Sequence, residues 1–425
     1  MKKLARRIVA SILALLARGI LAKYRPIVVM VTGSVGKTST KDAVAAALSE
    51  KYHLRASEKS YNSEFGVPLT IIGSKNPWTS PIAWLRVIGE ALALILLPNH
   101  YPRLLVLEVG ADSPGDLWQI LNMVTPSAVV VTRLPEIPVH VEAYASAEAV
   151  REEEFAPAYA LPEDAPLIIS AEDHHAIRLA SQLSVKLVAF GTSDDADVRI
   201  KDVKHCMKAG IPCGMEAKVL VGKEEHTIRA NNALGRSQIY APAAALALAL
   251  SLGLSARQAL KGLAKYEPPA GRARILLGIH DSIIIDDSYN ASPAAVEEVL
   301  RSLPELPGKR RVAVLGDMLE LGRYSKDEHE RIGTLAAEHA DIVVAVGTRA
   351  SAIADAAERA RKGEVLRFDT SKEAAKTLPE LIQEGDIVLV KGSQGIRTER
   401  IVEALLRNPE DMPKLVRQER EWKKR

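Results

Sequence analysis

The sequence predicts two α/β domains in tandem, the first built on a largely parallel sheet. Three observations predict it. From Pro26 onward, short apolar runs rich in β-branched residues alternate with helical patterns, as strands covered by helices do. A second alternating series begins after Tyr266-Glu-Pro-Pro-Ala-Gly271, where prolines and a glycine punctuate the chain. And 425 residues exceed what one ordinary core organises. The resulting division is 1–25, 26–268 and 269–425, with no short-period repeat and no low-complexity linker.

The first segment carries Lys2, Lys3, Arg6, Arg7, Arg18, Lys23 and Arg25 and no acid, around an apolar series that includes Ile8, Ile12, Leu15 and Ile20. The apolar stretch between Arg7 and Arg18 is too short to span a bilayer and lacks a small-residue cleavage site, so it suits an interfacial helix. A second apolar segment, 82–97, contains Trp84, Leu85, Leu92 and Leu96, interrupted by Arg86 and Glu90. Membrane-surface contact through both segments and their packing on each other or on the core explain the pattern equally well.

In the second segment, strands are expected at 27–32, 104–107, 128–132, 167–170 and 186–190. The first runs into Gly33-Ser-Val-Gly-Lys-Thr-Ser39, and an alanine-rich helix is expected over 39–50, so the glycines fall in a strand-to-helix loop. Backbone N–H groups at such a helix start point at an anion, a lysine such as Lys37 adds charge for the outer phosphates, and a hydroxyl such as that of Thr38 can sit on Mg2+. Val31 occupies the usual first-glycine position of the longer G-x-x-x-x-G-K-[ST] pattern. Sites in open α/β sheets lie beyond the carboxyl ends of strands, which singles out Glu108, placed to hold Mg2+, and His140 with Glu142 after the strand at 128–132. Short strands are then expected over 197–228 and a helix over 241–252.

The third segment repeats the pattern, with strands expected at 283–286, 311–315, 342–346, 365–368 and 387–390. Ile283-Ile-Ile-Asp-Asp-Ser-Tyr-Asn290 places two carboxylates, a hydroxyl, an aromatic and an amide past a strand end, groups that can bind a ribose and a base. Leu315-Gly-Asp-Met318 and Val390-Lys-Gly-Ser393 end strands in the same way, and three such ends favour a cleft. The formal charge of +3 gives no reason to expect nucleic acid. Cys206 and Cys213 have neither metal-type spacing nor a disulfide framework, which fits a reducing cytosol.

Thr32-Gly-Ser-Val-Gly-Lys-Thr-Ser-Thr-Lys41, Asn62-Ser-Glu-Phe-Gly-Val-Pro-Leu-Thr70, Leu107-Glu-Val-Gly-Ala-Asp112, Asp286-Asp-Ser-Tyr-Asn-Ala-Ser-Pro293, Val314-Leu-Gly-Asp-Met-Leu-Glu-Leu-Gly322 and Val390-Lys-Gly-Ser393 together resemble the Mur ligase family. The match is collinear from Pro26 to the C-terminus, and the fourth and fifth strings are fairly specific for the branch that adds D-alanyl-D-alanine. The resemblance implies a P-loop-type central ATPase domain with a mostly parallel sheet, followed by a Rossmann-like C-terminal α/β domain. It implies an ATP- and Mg2+-dependent amide ligase of peptidoglycan precursor synthesis, in which a donor carboxylate attacks the γ-phosphate and an amine displaces phosphate from the acyl phosphate.

The resemblance also assigns residues. Gly33, Ser34, Val35, Gly36, Lys37, Thr38 and Ser39 would hold the phosphates, and Thr38, Glu108 and His140 the Mg2+ ions. Arg272 matches the arginine that reaches the nucleotide from the C-terminal domain; Asp287 would bond the ribose, with Tyr289 and Asn290 near the adenine. Asn62 would face donor and phosphate, and Lys391 and Ser393 are expected at the substrate. Lys37, Glu108 and His140 are the residues expected to carry catalysis. Hinge closure would assemble a nucleotide site shared by two domains.

Four departures accompany the match. The 25 residues before the first strand leave no room for the family's uridine-nucleotide-binding domain, and a basic apolar helix stands there, so a donor that is lipid-linked or held at the membrane surface is expected. Where many relatives carry a carbamylated lysine, this chain has Val150-Arg-Glu-Glu-Glu-Phe155, with Glu154 or its neighbour Glu153 expected to substitute as a metal ligand. The family's Gly-Arg-His-Asn-x-x-Asn reads Gly235-Arg-Ser-Gln-Ile-Tyr-Ala241, so Ser237 and Gln238 retain hydrogen-bonding capacity and Ala241 does not. Val31 is the fourth and costs little, since the family uses the shorter loop. The leading expectation is addition of D-Ala-D-Ala to a muramoyl tripeptide by a cytoplasmic enzyme, with or without peripheral contact at the inner membrane face. The alternatives are a related ligase acting on a lipid-linked or non-murein precursor, and a membrane-associated nucleotide-binding scaffold. Oligomeric state is not legible.

Overall fold

The computed structural model of the chain describes residues 2–58, 61–77, 80–208, 210–360, 363–419 and 422. The first sheet contains β1 (Ile27–Thr32), β2 (Leu54–Ala56), β3 (Leu104–Glu108), β4 (Ala128–Val131), β5 (Pro166–Ser170), β6 (Lys186–Gly191), β7 (Val198–Lys208), β8 (Ile211–Val221) and β9 (Glu224–Asn231), in the order β2-β3-β1-β4-β5-β6-β7-β8-β9. The second contains β10 (Arg274–Leu277), β11 (Ile283–Asp287), β12 (Arg310–Gly316), β13 (Ile342–Val346), β14 (Glu364–Phe368) and β15 (Asp386–Lys391), in the order β10-β11-β15-β12-β13-β14. Two mostly parallel sheets are thus present, as expected.

Strand β1 reads Ile-Val-Val-Met-Val-Thr because both its faces are covered. Val29 and Val31 pack with α2 (Lys37–Leu48), while Val28 and Met30 join the opposite layer, which includes α1 (Lys2–Tyr24). After α2 in the chain come α3 (Gly66–Ile72), α4 (Pro81–Leu96), α5 (Asp116–Leu121), α6 (Ala147–Tyr159) and α7 (His174–Ala180), followed by α8 (Tyr240–Ser251), α9 (Ala256–Leu263) and α10 (Pro293–Ser302). Helix α8 is buried from Ala241 to Ala249, and its alanines let it lie between the sheet and α2. Each fully buried Val or Leu in these layers contributes roughly 1.5–3 kcal/mol. Helix α1 turns Leu13, Ala17 and Ile20, spaced i, i+4 and i+7, into the core, so the segment expected as interfacial is half core helix.

Two expectations need correction. The short strands expected over 197–228 are long: β7 and β8 have 11 residues each and β9 has 8. They pair antiparallel and extend the first sheet, because alternating residues such as Val198, Ile200, Ala217 and Val219 bury one face. Gly222, at φ 59, supplies the left-handed residue that the two-residue turn between β8 and β9 uses. The helix expected from 39 begins at Lys37, two residues earlier, placing Lys37 and Thr38 in its first turn. Among the described residues, no helix is long and apolar enough to cross a membrane.

Candidate active site

Strand β1 lies between β3 and β4, so the chain leaves β1 toward one side of the sheet and later continues on the other. Ligands in open α/β sheets bind beyond strand ends at such a switch point. Gly33 (φ 115) and Gly36 (φ 90) bend the loop there, and a Cβ at Gly33 would stand 2.5 Å from Thr132 Oγ1. Gly36 caps α2, whose first amides therefore face the mouth of the loop. The Lys37 ammonium folds back and donates to Gly33 O.

Glu108 is paired in register with Val31 at the end of β3. It is 1% exposed, Thr38 Oγ1 donates to its Oε1 at 3.3 Å, and its Oε2 is buried with no hydrogen-bond partner among the described residues. Burial pushes its carboxyl above the usual range, against the charges of Lys41, Lys37 and Arg272 and the Thr38 hydrogen bond. An acceptor-only oxygen left unpaired beside a hydroxyl and a phosphate-type loop fits a hard divalent cation. Asn62 O accepts Gly110 N at 3.1 Å, and a Cβ on Gly110 would lie 3.1 Å from Asn62 Nδ2 and 3.4 Å from Lys37 Cε, so Asn62 stands beside Lys37.

His140, at φ 65, follows β4, with Nδ1 3.0 Å from Glu320 Oε2 and Nε2 3.5 Å from Asp112 Oδ1. Burial disfavours the imidazolium, but the hydrogen bond and charge of Glu320 and the charge of Asp112 outweigh it and raise the pKa. Glu154 is 2% exposed on α6; its Oε2 accepts from Ser34 Oγ, and its backbone O accepts from Thr32 Oγ1 at 2.6 Å. Burial raises its pKa against the lowering effect of Lys37, Ser34 and His140. Glu153 turns elsewhere: its Oε1 accepts Gly115 N and Leu117 N at 3.1 and 3.0 Å, at the start of α5. Of the two expected metal ligands, the structure brings only Glu154 to the loop.

On the other side of the loop opens a cleft of about 670 Å³, lined by Gly36, Ser39 and Thr40, by Ser237, Gln238 and Ala241, and from the second sheet's side by Arg272, Asp287 and Lys391. Gln238 Oε1 is buried there with no hydrogen-bond partner among the described residues. Lys391, expected at the substrate, is 2% exposed and donates to Asp287 Oδ2 at 2.6 Å and Asn290 O at 3.0 Å. Asp287 Oδ1 accepts Ala273 N at 3.2 Å. Ser393 is also buried, its Oγ accepting Leu319 N at 2.9 Å and so tying the loop after β12 to the end of β15. Tyr289 and Asn290 are not among the residues lining the cleft: the Arg272 guanidinium lies 4.2 Å from the Tyr289 ring centre, and Asn290 Oδ1 accepts Gln394 N at 3.4 Å.

Sequence reasoning missed three side chains at this site. Lys41 is 2% exposed and donates to Ser57 O at 2.7 Å, one turn beyond Lys37 on α2. The (i, i+4) spacing from Lys37 was a signal for it. Asp112 and Glu320 meet His140 from loops with no local signature beyond the family-like strings that contain them.

The Mur ligase middle-domain model matches residues 31–249, and the model described as Mur ligase, glutamate ligase domain, matches 271–394. The chain is 27% identical over 397 residues to a UDP-N-acetylmuramoyl-tripeptide--D-alanyl-D-alanine ligase of Bacillus subtilis (strain 168), covering 93% of this chain and 79% of the relative. It is 29% identical to the same-named protein of Escherichia coli (strain K12), covering 90% and 77%. The crystal structure of a MurF ligase from Thermotoga maritima in complex with ADP is similar at a TM-score of 0.76 and 25% identity, covering 95% of this chain and 84% of that one. With the middle-domain match alone spanning more than half of its residues, and the phosphate loop, Glu108 and cleft lying within or beside it, this chain belongs to the Mur ligase family.

Proposed function

We propose that the protein is an ATP-dependent amide ligase that joins D-alanyl-D-alanine to a muramoyl tripeptide through an acyl phosphate. The observation that carries this reading is the unpartnered, buried Oε2 of Glu108, set between the Thr38 hydroxyl and the charges of Lys37, Lys41 and Arg272. The names of the relatives and the ADP complex of the similar structure support the substrate and nucleotide assignments. The reading divides the chain at 268/269, with the nucleotide between the two units.

Both steps place charge on oxygen, so the chain's task is positioning and electrostatic stabilisation. The loop amides and Lys37 orient the phosphates so that the γ-phosphorus meets the donor carboxylate; Asn62, beside Lys37, lies where that carboxylate would arrive. Thr38 and Glu108 would hold one Mg2+, and His140 with Glu154 a second. The ions when bound would neutralise phosphate charge. Arg272 reaches the cleft from the second unit, so a closed arrangement adds positive charge as the leaving group forms. Asp287 and Lys391 form the far wall, where the nucleoside would lie.

Phosphate release from ATP, measured with muramoyl tripeptide donors and a panel of amines, tests the reading. D-Ala-D-Ala should stimulate release at least about tenfold. Stimulation only by another amine would replace the acceptor assignment, and nucleotide binding without stimulation would remove the ligase reading.

A further inference from the structure

Seven of the fourteen exposed large hydrophobic side chains among the described residues lie on α1 and α4. On α1, Ile8, Ile12 and Leu15 form a stripe at i, i+4 and i+7, separate from the buried face of Leu13, Ala17 and Ile20. On α4, Ile82, Leu85, Leu92 and Leu96 continue a 3-4 spacing through Gly89, beside which a Cβ would meet nothing within 4 Å. Leu15, Leu85 and Leu96 are 67%, 69% and 75% exposed. The helices are held together: a Cβ on Gly19 would touch Ile95, and Lys23 Nζ donates to Leu94 O at 2.8 Å and Leu97 O at 2.6 Å.

We infer that this two-helix face is a docking surface for an anionic lipid bilayer. The charge argues for that occupant. Segment 1–25 holds seven cations and no acid of its own, so even with Arg6 paired to Glu64 its apolar stripe is flanked by a net excess of basic charge. A second copy of the chain meeting it by a two-fold axis would bring those cations against their own counterparts. Acidic headgroups neutralise them, and a shallow apolar stripe with a basic fringe is the form that lies in the headgroup region. Helix α1 cannot leave the protein to insert deeply, because its other face is core. The same helix touches the donor side of the site: Arg6 Nη2 donates to Glu64 Oε1 at 3.0 Å, two residues beyond Asn62. Docking therefore sets the Asn62 loop near the headgroups, where a carrier-anchored donor would be presented; this last step rests on the proposed ligase reading, while docking itself does not.

The test is co-sedimentation of the full chain with phosphatidylglycerol/phosphatidylcholine vesicles and with pure phosphatidylcholine vesicles. It is repeated for the exposed triple variant Leu15→Glu, Leu85→Glu, Leu96→Glu, with thermal melting and ADP binding measured in parallel. Binding to the anionic vesicles that weakens with salt, and falls at least tenfold in the variant while melting and ADP binding stay unchanged, is the expected result. A variant that fails to melt cooperatively is replaced by Leu85→Gln, Leu96→Gln, for which the same fall is expected. Equal binding by variant and parent overturns the inference, as does no vesicle binding by the parent. So does a parent dimer that the substitutions convert to monomer without any vesicle binding, which makes a second copy the occupant.

Discussion

His140 Nδ1 stands 3.0 Å from Glu320 Oε2, joining the loop after β4 of the first sheet to the loop after β12 of the second. Gly322, at φ 52, packs against Glu142 in the same contact, so the two halves meet at a histidine beside the phosphate loop. The pair has a definite pH window. His140's pKa is raised from 6.5, so its contribution is full below about that value and is lost as pH rises through the raised value. Glu320's pKa is lowered from 4.5, so its contribution is full above that value and is lost as pH falls through the lowered one. With Glu320 43% exposed, screening limits the coupling to about 0.5 kcal/mol. A double-mutant cycle of His140→Ala and Glu320→Gln in the metal-free protein should give that coupling near pH 5.5 and none well above neutrality. Equal coupling at both pH values would show that packing, not charge, joins the loops.

Glu108→Gln should separate stability from turnover. Because burial raises this carboxyl's pKa, its folded-state contribution is favourable below about 4.5 and is lost as pH rises, so the ionised form costs stability at neutral pH. The amide variant should melt higher than the parent at pH 7.5 without Mg2+, while Mg2+-dependent turnover falls about 10²-fold or more. A lower melting temperature with retained turnover would remove Glu108 from the site.

Neighbouring acids on α6 should behave differently. Glu153→Ala removes an acceptor from Gly115 N and Leu117 N at a helix start and should cost about 1 kcal/mol in denaturation, with Mg2+ dependence unchanged. Glu154→Gln should weaken the Mg2+ dependence of phosphate release several-fold, since it removes a buried anion next to Ser34, Lys37 and His140. The reverse assignment of effects would exchange the two roles.

The contrast between these residues shows what was legible in the sequence. The phosphate loop was legible because glycine, lysine and threonine at fixed spacing have few other uses, and Glu108 because it closes an apolar strand. The two sheets were legible because strands buried on both faces read as apolar runs. Which of Glu153 and Glu154 faces the loop was not, since adjacent residues on a helix diverge by about 100° and only the packing of α6 decides. Lys41 was hidden because a lysine on an alanine-rich helix reads as exposed, and its burial depends on Ser57 O from a separate loop. Glu320 is 180 residues from His140, a contact that only the docking of one sheet's loops on the other's creates. The extension of the first sheet by β7, β8 and β9 was read as short pieces because its alternation is broken by register shifts between Lys201 and Lys204 and between Cys206 and Met207.

Asp287 and Lys391 sit opposite each other on adjacent parallel strands, with side chains 11% and 2% exposed, and form an ion pair at 2.6 Å. Removing one partner leaves a charge in the wall of the cleft, where desolvation is not repaid. Asp287→Asn should therefore destabilise the protein by about 3 kcal/mol, leaving the Lys391 ammonium buried without a counter-charge and held only by neutral acceptors such as Asn290 O. Asp287→Asn combined with Lys391→Met removes both charges and should recover most of that loss. If the pair also orients the nucleoside, the double variant should regain its denaturation midpoint and still bind ADP at least tenfold more weakly than the parent by calorimetry. Full recovery of both would reduce the pair to a structural bridge between β11 and β15.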